Sequence, residues 1–526
     1  MRFESVLAGI NGFGKFQIMV LAMCFLGRFS LPCHFMLNNF IADVPPHRCD
    51  FSSLDDGGVF RNLSMEEKLV VSIPVQEDGT PSSCRMFAEP QYRLLLNNSS
   101  NFTEAGTVPC QTGWVYDNAT FRSTVTSQWD LVCERRGKNK ASATIFFIGT
   151  MIGAITFGSL SDRFGRRSMI LVSYVSAMLF GFASALSTSY VMFVVLRFVT
   201  GICITGILVI AGVLTVEWVD VEHRKLVGVI DSLAWTFGSA LFAGIAYLVT
   251  DWRWLTVSVT SPLILVIIMW RWLPESARWL IAKGKHEQAH MYLKKCAKMN
   301  QAENFIDAIK TETLSAIVVT EKRDRVYSSL DLIRTPKMRK LALCSGLLWL
   351  CVATSYFAIS FQIAGFWLDI YFTQFAYSLI EIPAKIALYF LLDKIGRRST
   401  VVGTQLMVAI CLGINILLPK DLSLIITVIA VIGKGFSSAS FATLMLYTSE
   451  LYPTVVRQIG TGCNNCIGRI GIAVAPFILL LDEVWKDLPQ VVLCCMTVLG
   501  AIVMRMLPET ANKCMPETID DIEQQQ

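Results

Sequence analysis

Stretches of about twenty apolar residues, separated by short polar breaks, run along most of the chain. They fall at about 16–37, 142–161, 169–187, 189–214, 226–249, 254–273, 340–363, 367–392, 399–418, 422–446, 456–481 and 488–507. As helices rising 1.5 Å per residue, each is long enough to cross a hydrocarbon layer of roughly 30 Å. The pattern predicts an all-α membrane protein with twelve transmembrane helices. Residues 1–15 lack the apolar core and small-residue cleavage site of a secretory leader, so the first apolar run is expected to remain as helix 1. Three polar pieces interrupt the rhythm: 38–141 after helix 1, 274–339 between helices 6 and 7, and the tail 508–526. Within the second, 285–300 has the spacing of a short amphipathic helix.

The pattern repeats. Asp162-Arg-Phe-Gly-Arg-Arg167 returns as Asp393-Lys-Ile-Gly-Arg-Arg398, from 162 to 393, an offset of 231. Glu217 and Arg224 return as Glu450 and Arg457, each 233 residues on, and Pro274-Glu275 returns as Pro508-Glu509, 234 on. One near-constant offset implies a duplicated six-helix unit, helices 1–6 through residue 273 and helices 7–12 over 340–507. Parallel six-helix repeats place a substrate site between them near mid-membrane.

Composition agrees: 53% of residues are hydrophobic and 17% charged, where a soluble domain carries about 25% charged. The net charge of +5 matters here through its placement, and it implies no nucleic-acid partner. The 274–339 piece is rich in Lys and Arg, which marks it as cytoplasmic. The 38–141 piece holds Cys49, Cys84, Cys110 and Cys133, with N-x-[ST] acceptors at Asn62, Asn97, Asn98, Asn101 and Asn118. Such a cluster reads as an extracellular, glycosylated, disulfide-bearing loop. The four cysteines allow three pairings, all left open. An even helix count then puts both termini, 1–15 and 508–526, in the cytoplasm.

The repeated Asp162, Arg163, Arg166 and Arg167, with Asp393, Arg397 and Arg398, sit in tight glycine turns between helices 2 and 3 and between helices 8 and 9. Glu217, Arg224, Glu450 and Arg457 flank the cytoplasmic ends of helices 4, 5, 10 and 11. Together they form a candidate gating network; the plainer alternative is a static clamp or a topology signal. Gly158-Ser-Leu-Ser-Asp-Arg-Phe-Gly-Arg-Arg167 resembles the signature loop of the major facilitator superfamily.

A cation at mid-helix costs roughly 2.5–3.5 kcal/mol to insert, so it is kept for a partner or a substrate. Arg469 lies twelve residues past Arg457, about 18 Å deep, and Lys385 lies eight residues before Asp393, about 12 Å deep. Lys434 in helix 10 and Arg28 in helix 1 are further intramembrane cations, with His34 beyond Arg28. Asp231 and Glu381 supply the competing reading of internal ion pairs, Glu381 standing at i, i+4 to Lys385. Asp231 could also lower the positive potential of the site. Cys463 and Cys466 have a C-x-x-C spacing but no second pair or nearby His, so no metal is expected. With no phosphate loop or catalytic triad, the sequence points to neither an enzyme nor an ATP-driven pump, and calls for no cofactor.

Further segments narrow the resemblance. Gly12-Phe-Gly-Lys-Phe-Gln17, Gln128-Trp-Asp-Leu-Val-Cys133, Pro274-Glu-Ser-Ala-Arg-Trp-Leu280 and Thr448-Ser-Glu-Leu-Tyr-Pro-Thr-Val-Val-Arg-Gln458 are similar to solute carrier family 22, the organic ion transporters. Val44-Pro-Pro-His-Arg-Cys49, Trp218-Val-Asp-Val-Glu-His-Arg224 and Asp251-Trp-Arg-Trp-Leu255 resemble its organic anion branch. That branch has a basic residue at the positions of Lys385 and Arg469, both implicated in anion binding, whereas cation carriers have an acid at the latter. The resemblance implies pocket aromatics at Trp235, Tyr356, Phe357 and Phe441. It implies a polyspecific secondary carrier working by alternating access at the plasma membrane, basolateral in epithelia. Its substrates would be carboxylates, prostaglandin-like molecules, nucleobase or cyclic-nucleotide compounds, urate and drugs, with chloride or a dicarboxylate as counter-ion. Asp231 and Glu381 leave a cation or zwitterion carrier as the alternative, and a non-transporting receptor or channel as a more distant one.

Overall fold

The computed structural model describes residues 3–55, 58–76, 79–95, 106–220, 222–302, 330–364, 366–453, 456–510 and 519–524. Among them, twelve helices are long and apolar enough to cross a membrane. They are α1 (Lys15–Ile41), α2 (Arg136–Phe164), α3 (Arg166–Ala185), α4 (Tyr190–Glu217), α5 (Arg224–Leu248) and α6 (Trp252–Trp272). The second six are α7 (Pro336–Phe361), α8 (Ile370–Ile395), α9 (Arg397–Leu417), α10 (Ser423–Leu451), α11 (Arg457–Leu479) and α12 (Leu488–Arg505). Several outrun their apolar cores. For α2 the expectation was 142–161, but the backbone ladder continues through Arg136 and Lys138 at one end and Asp162 and Arg163 at the other. Polar side chains do not stop a helix once its apolar face is buried.

The chain divides into two compact units. The larger one comprises 1–37, 141–248 and 255–526, and the smaller 38–140 with 249–254. In the smaller unit two disulfides, Cys49–Cys110 and Cys84–Cys133, settle the pairing that the sequence left open. Two short antiparallel pairs, His47–Cys49 with Trp114–Tyr116 and Arg85–Phe87 with Thr107–Pro109, support them. Asn62 and Asn118 are exposed; Asn97, Asn98 and Asn101 lie outside the described residues.

In the larger unit α7 packs on α11, α9 on α10 and α12, α3 on α4, and α5 on α8 across the repeat. Gly149 and Gly153 of α2 face the backbone carbonyls of Phe198 and Ile202 in α4, a close approach that a methyl group would block. α1 is broken at Ser30 and Leu37, and Pro383 and Pro476 lie inside α8 and α11.

Both ends of the chain fold back onto the bundle. Phe3, Val6, Leu7 and Ile10 are buried along Phe3–Gly9 and just beyond. Asn300, past the amphipathic helix His286–Met299, donates to the carbonyls of Ile10 (3.2 Å) and Asn11 (2.9 Å) and accepts from Phe16 N (3.0 Å). At the other end Glu523, in Ile519–Gln524, accepts from the Lys337 and Met338 amides (3.0 and 3.1 Å), occupying the start of α7.

Candidate functional site

Two clusters of charged residues repeat the same construction. Between α2 and α3 the chain turns at Gly165 with φ +100°, and between α8 and α9 at Gly396 with φ +89°. Only glycine takes this conformation cheaply. A Cβ would also meet a carboxylate, 2.6 Å from Glu275 Oε2 or 2.8 Å from Glu509 Oε2. Glu275 accepts from the Arg166 amide (2.9 Å) and the Arg167 amide (3.1 Å). Glu509 accepts from the Arg397 and Arg398 amides (2.9 and 3.0 Å). Each carboxylate satisfies the free amides at a helix N-terminus and matches its positive dipole end.

The arginine side chains then reach across. Arg166 donates through Nε and Nη2 to both oxygens of Glu217 (3.2 and 3.1 Å), with Asp162 2.9 Å from Nη2. Arg397 grips Glu450 the same way at 3.1 and 3.2 Å. The glutamates therefore pair with the repeated arginines. Arg457 Nε instead donates to the Tyr452 carbonyl (3.2 Å). Arg167 stacks on Trp270, its Cζ 4.7 Å from the ring centroid, and donates to Tyr292 Oη. Arg398 donates to the Arg505 carbonyl, while Arg163 is exposed beside Phe164. Arg224 begins α5, and the side chain of Asp393 lies outside the described residues.

Midway along the bundle, Glu381 of α8 is a hub. Its Oε2 accepts from Lys385 Nζ (2.9 Å) and from Thr236 Oγ1 of α5 (3.2 Å). Its Oε1 accepts from Tyr356 Oη of α7 (2.8 Å) and lies 3.2 Å from Lys434 Nζ of α10. Lys434 also sits 3.4 Å from the Tyr356 ring centroid and donates to Ser360. Lys385 crosses to α5, donating to Thr236 Oγ1 (2.7 Å) and the Ser232 carbonyl (3.3 Å).

Asp231 does not join this group. It pairs with Arg28 of α1, so its charge is met within the first half. Arg469 of α11 is 9% exposed, and no carboxylate among the described residues lies within ion-pair distance. Its Nε has no hydrogen-bond partner. Among the described residues of the second half, part-buried Lys385 and buried Lys434 share the one carboxylate of Glu381, and buried Arg469 has none, a surplus of two positive charges.

Aromatic rings adjoin the hub. Tyr356 and Phe441 stack at 5.1 Å between centroids, Phe357 lies 5.1 Å from Tyr356, and Trp235 lies 5.2 Å from Phe35. Phe35 and Phe147 of the first half each come within 6.2 Å of Phe357, and Phe147 comes within 5.4 Å of Phe361. Nothing along the chain singles out Phe35, Phe146, Phe147 or Phe361, because an aromatic in an apolar run carries no mark of the face it occupies. Glu275 and Glu509 stand out in the sequence only as repeat markers; their place beside the arginines is a long-range contact.

Further hydrogen bonds join the halves toward the ends of the helices that carry the 38–140 segment. Ser239 of α5 meets Gln374 Nε2 and Ser378 Oγ of α8, each at 2.9 Å, and Thr144 Oγ1 of α2 donates to the Ala473 carbonyl of α11 (2.9 Å).

A family model described as "Sugar (and other) transporter" matches residues 115–520. The chain is 42% identical to solute carrier family 22 member 7 of Bos taurus and 43% identical to that of Homo sapiens, covering 99% of this chain and 96% of each relative. It is 34% identical to member 6-B of Xenopus laevis over 99% of this chain and 95% of that one. Among solved structures, it is similar to the xylose transporter XylE from E. coli in a partially occluded inward-open conformation. There the TM-score is 0.60 at 17% identity, covering 95% of this chain and 99% of that one.

Proposed function

The chain belongs to solute carrier family 22, multi-pass transporters of the major facilitator fold rather than enzymes, and from that premise we propose that it carries small organic anions by alternating access. The observation that carries this reading is Arg469, buried at mid-bundle with no carboxylate partner among the described residues. A buried cation without a counter-charge is costly, and an anionic substrate supplies one. The stacked pair Tyr356 and Phe441, with Phe357 and Trp235, offers apolar faces to a planar body while the basic groups take its charge.

The hub gives binding a route to motion. Lys385 holds α8 to α5 through Thr236 and the Ser232 carbonyl. A substrate carboxylate competes with Glu381 and these oxygens for Lys385, and its arrival weakens the seam between the halves. The Arg166–Glu217 and Arg397–Glu450 clusters are the gate at the opposite end. The helix ends that carry the disulfide unit face the exterior, and the glycine turns and both termini face the cytoplasm. Transport is facilitated uptake or anion exchange at the plasma membrane.

Uptake of labelled organic anions and of an organic cation into cells expressing wild type and Arg469→Ala tests this. A charge-assisted hydrogen bond of roughly 1.5–3 kcal/mol predicts a fall in anion uptake efficiency of about 10- to 100-fold, with partial retention in Arg469→Lys. Saturable cation uptake that survives Arg469→Ala would overturn the reading.

A further inference from the structure

Another buried cation stands apart from the central hub. Arg197 of α4 is 1% exposed and has no ion-pair partner among the described residues. Its Nη2 donates to the His34 carbonyl of α1 (3.2 Å), and its Cζ lies 4.4 Å from the Phe146 ring centroid. Its Nε and Nη1 have no hydrogen-bond partner. Beside it His34 is 0% exposed, and both of its ring nitrogens also lack a partner. Four unsatisfied buried nitrogens on two adjoining residues, one of them carrying a full charge, are far from the usual state of a protein interior.

From this cluster we propose that Arg197 and His34 form a binding site for a small monovalent inorganic anion of halide size, built within the first six-helix half. Arg197 Nε and Nη1 carry three N–H bonds and the imidazole one more, so the ligand must accept hydrogen bonds. One unmatched positive charge calls for one negative charge. A water molecule would satisfy the donors and leave the charge unmet. Near-complete enclosure excludes an organic body. Arg197 lies seven residues from the start of α4, about 10 Å in, and Arg469 lies ten residues from the end of α11, about 15 Å in. Phe146 under Arg197 touches Phe35 and Phe147, whose rings reach Phe357. A chain of ring contacts therefore runs from this site to the edge of the substrate hub. The proposal stands independently of the substrate assignment, since Arg469 takes no part in it.

Thermal unfolding of the purified full-length protein, in sodium chloride against sodium gluconate at equal ionic strength, tests it. Wild type is expected to show a saturable rise in midpoint with chloride, as for any ligand that binds the native state. Arg197→Gln should abolish that rise, and Arg469→Ala should keep it. His34→Ala removes one donor and leaves the charge, and it should raise the half-saturating chloride concentration by about ten-fold. His34→Ala keeps the test decisive should Arg197→Gln fail to fold. A wild-type midpoint indifferent to chloride would mean that water fills the site, and the proposal fails. It fails equally if the rise disappears in Arg469→Ala but persists in Arg197→Gln, or if His34→Ala leaves half-saturation unchanged.

Discussion

At the scale of single residues, Glu381 ties four helices together. It bonds or pairs with Lys385, Thr236, Tyr356 and Lys434, drawn from four helices. Removing one member of a buried ionic group leaves the others uncompensated, at a cost of roughly 3–5 kcal/mol. Glu381→Gln is therefore expected to lower the unfolding midpoint of the purified protein strongly. Glu381→Asp, which keeps the charge, should lower it less, and equal losses in the two variants would show that packing rather than charge matters here. Cys296 offers a quieter check. It is fully buried against Gln17, and burial pushes its thiol up to about 12. Burial disfavours the thiolate, so at pH 9 only about a thousandth of it is ionised. Alkylation followed by peptide mass spectrometry should find Cys296 unmodified from pH 7 to pH 9. Asn300→Ala, which releases the amino-terminal segment, should expose it to modification.

At the scale of elements, the turns at Gly165 and Gly396 combine a positive φ with a carboxylate pressed against the glycine. Gly165→Ala combines a positive-φ backbone cost of about 1–3 kcal/mol with displacement of Glu275 from the α3 amides. Glu275→Gln keeps the shape and removes only the charge, so it should be the milder variant. Uptake rates and surface expression of the two, measured side by side, check the order; the reverse order would show that the cap charge outweighs the turn.

For the whole molecule, the seam between the six-helix halves is polar where Ser239 meets Gln374 and Ser378. Each hydrogen bond contributes about 1 kcal/mol net. Ser239→Ala should therefore favour opening at the end that bears the disulfide unit, by roughly five-fold or more in the open-to-closed ratio. A cysteine placed at Phe361 should then label faster from the outer solution in Ser239→Ala than in its parent, and an unchanged rate would show that the aromatic contacts alone hold the seam. The two disulfides act on the smaller unit in another way. Cross-links over 61 and 49 residues limit the unfolded chain, so Cys84→Ser with Cys133→Ser should destabilise that unit by roughly 2–5 kcal/mol, read as faster proteolysis at the cell surface.

The sequence by itself determined the twelve helices, the duplicated half and the family. Span length is a property of consecutive residues, and the repeated motifs stand at one offset in the chain. It also picked out Arg469, Lys385, Lys434 and Arg28, because a charge inside an apolar run is visible without any fold. It marked the pairing of Glu381 with Lys385, since i, i+4 on a helix is local. Only the tertiary structure decided which charges cancel. Asp231 meets Arg28 across α1 and α5, Lys434 joins Glu381 from α10, and Arg469 and Arg197 are left without carboxylates among the described residues. It also chose one of three disulfide pairings and set Glu275 and Glu509 on their helix ends. Arg197 was as visible in its apolar run as Arg469, yet nothing along the chain links it to His34, 163 residues away. Ion pairing depends on distances of a few ångström between segments remote in sequence, and these distances are fixed only when the helices pack.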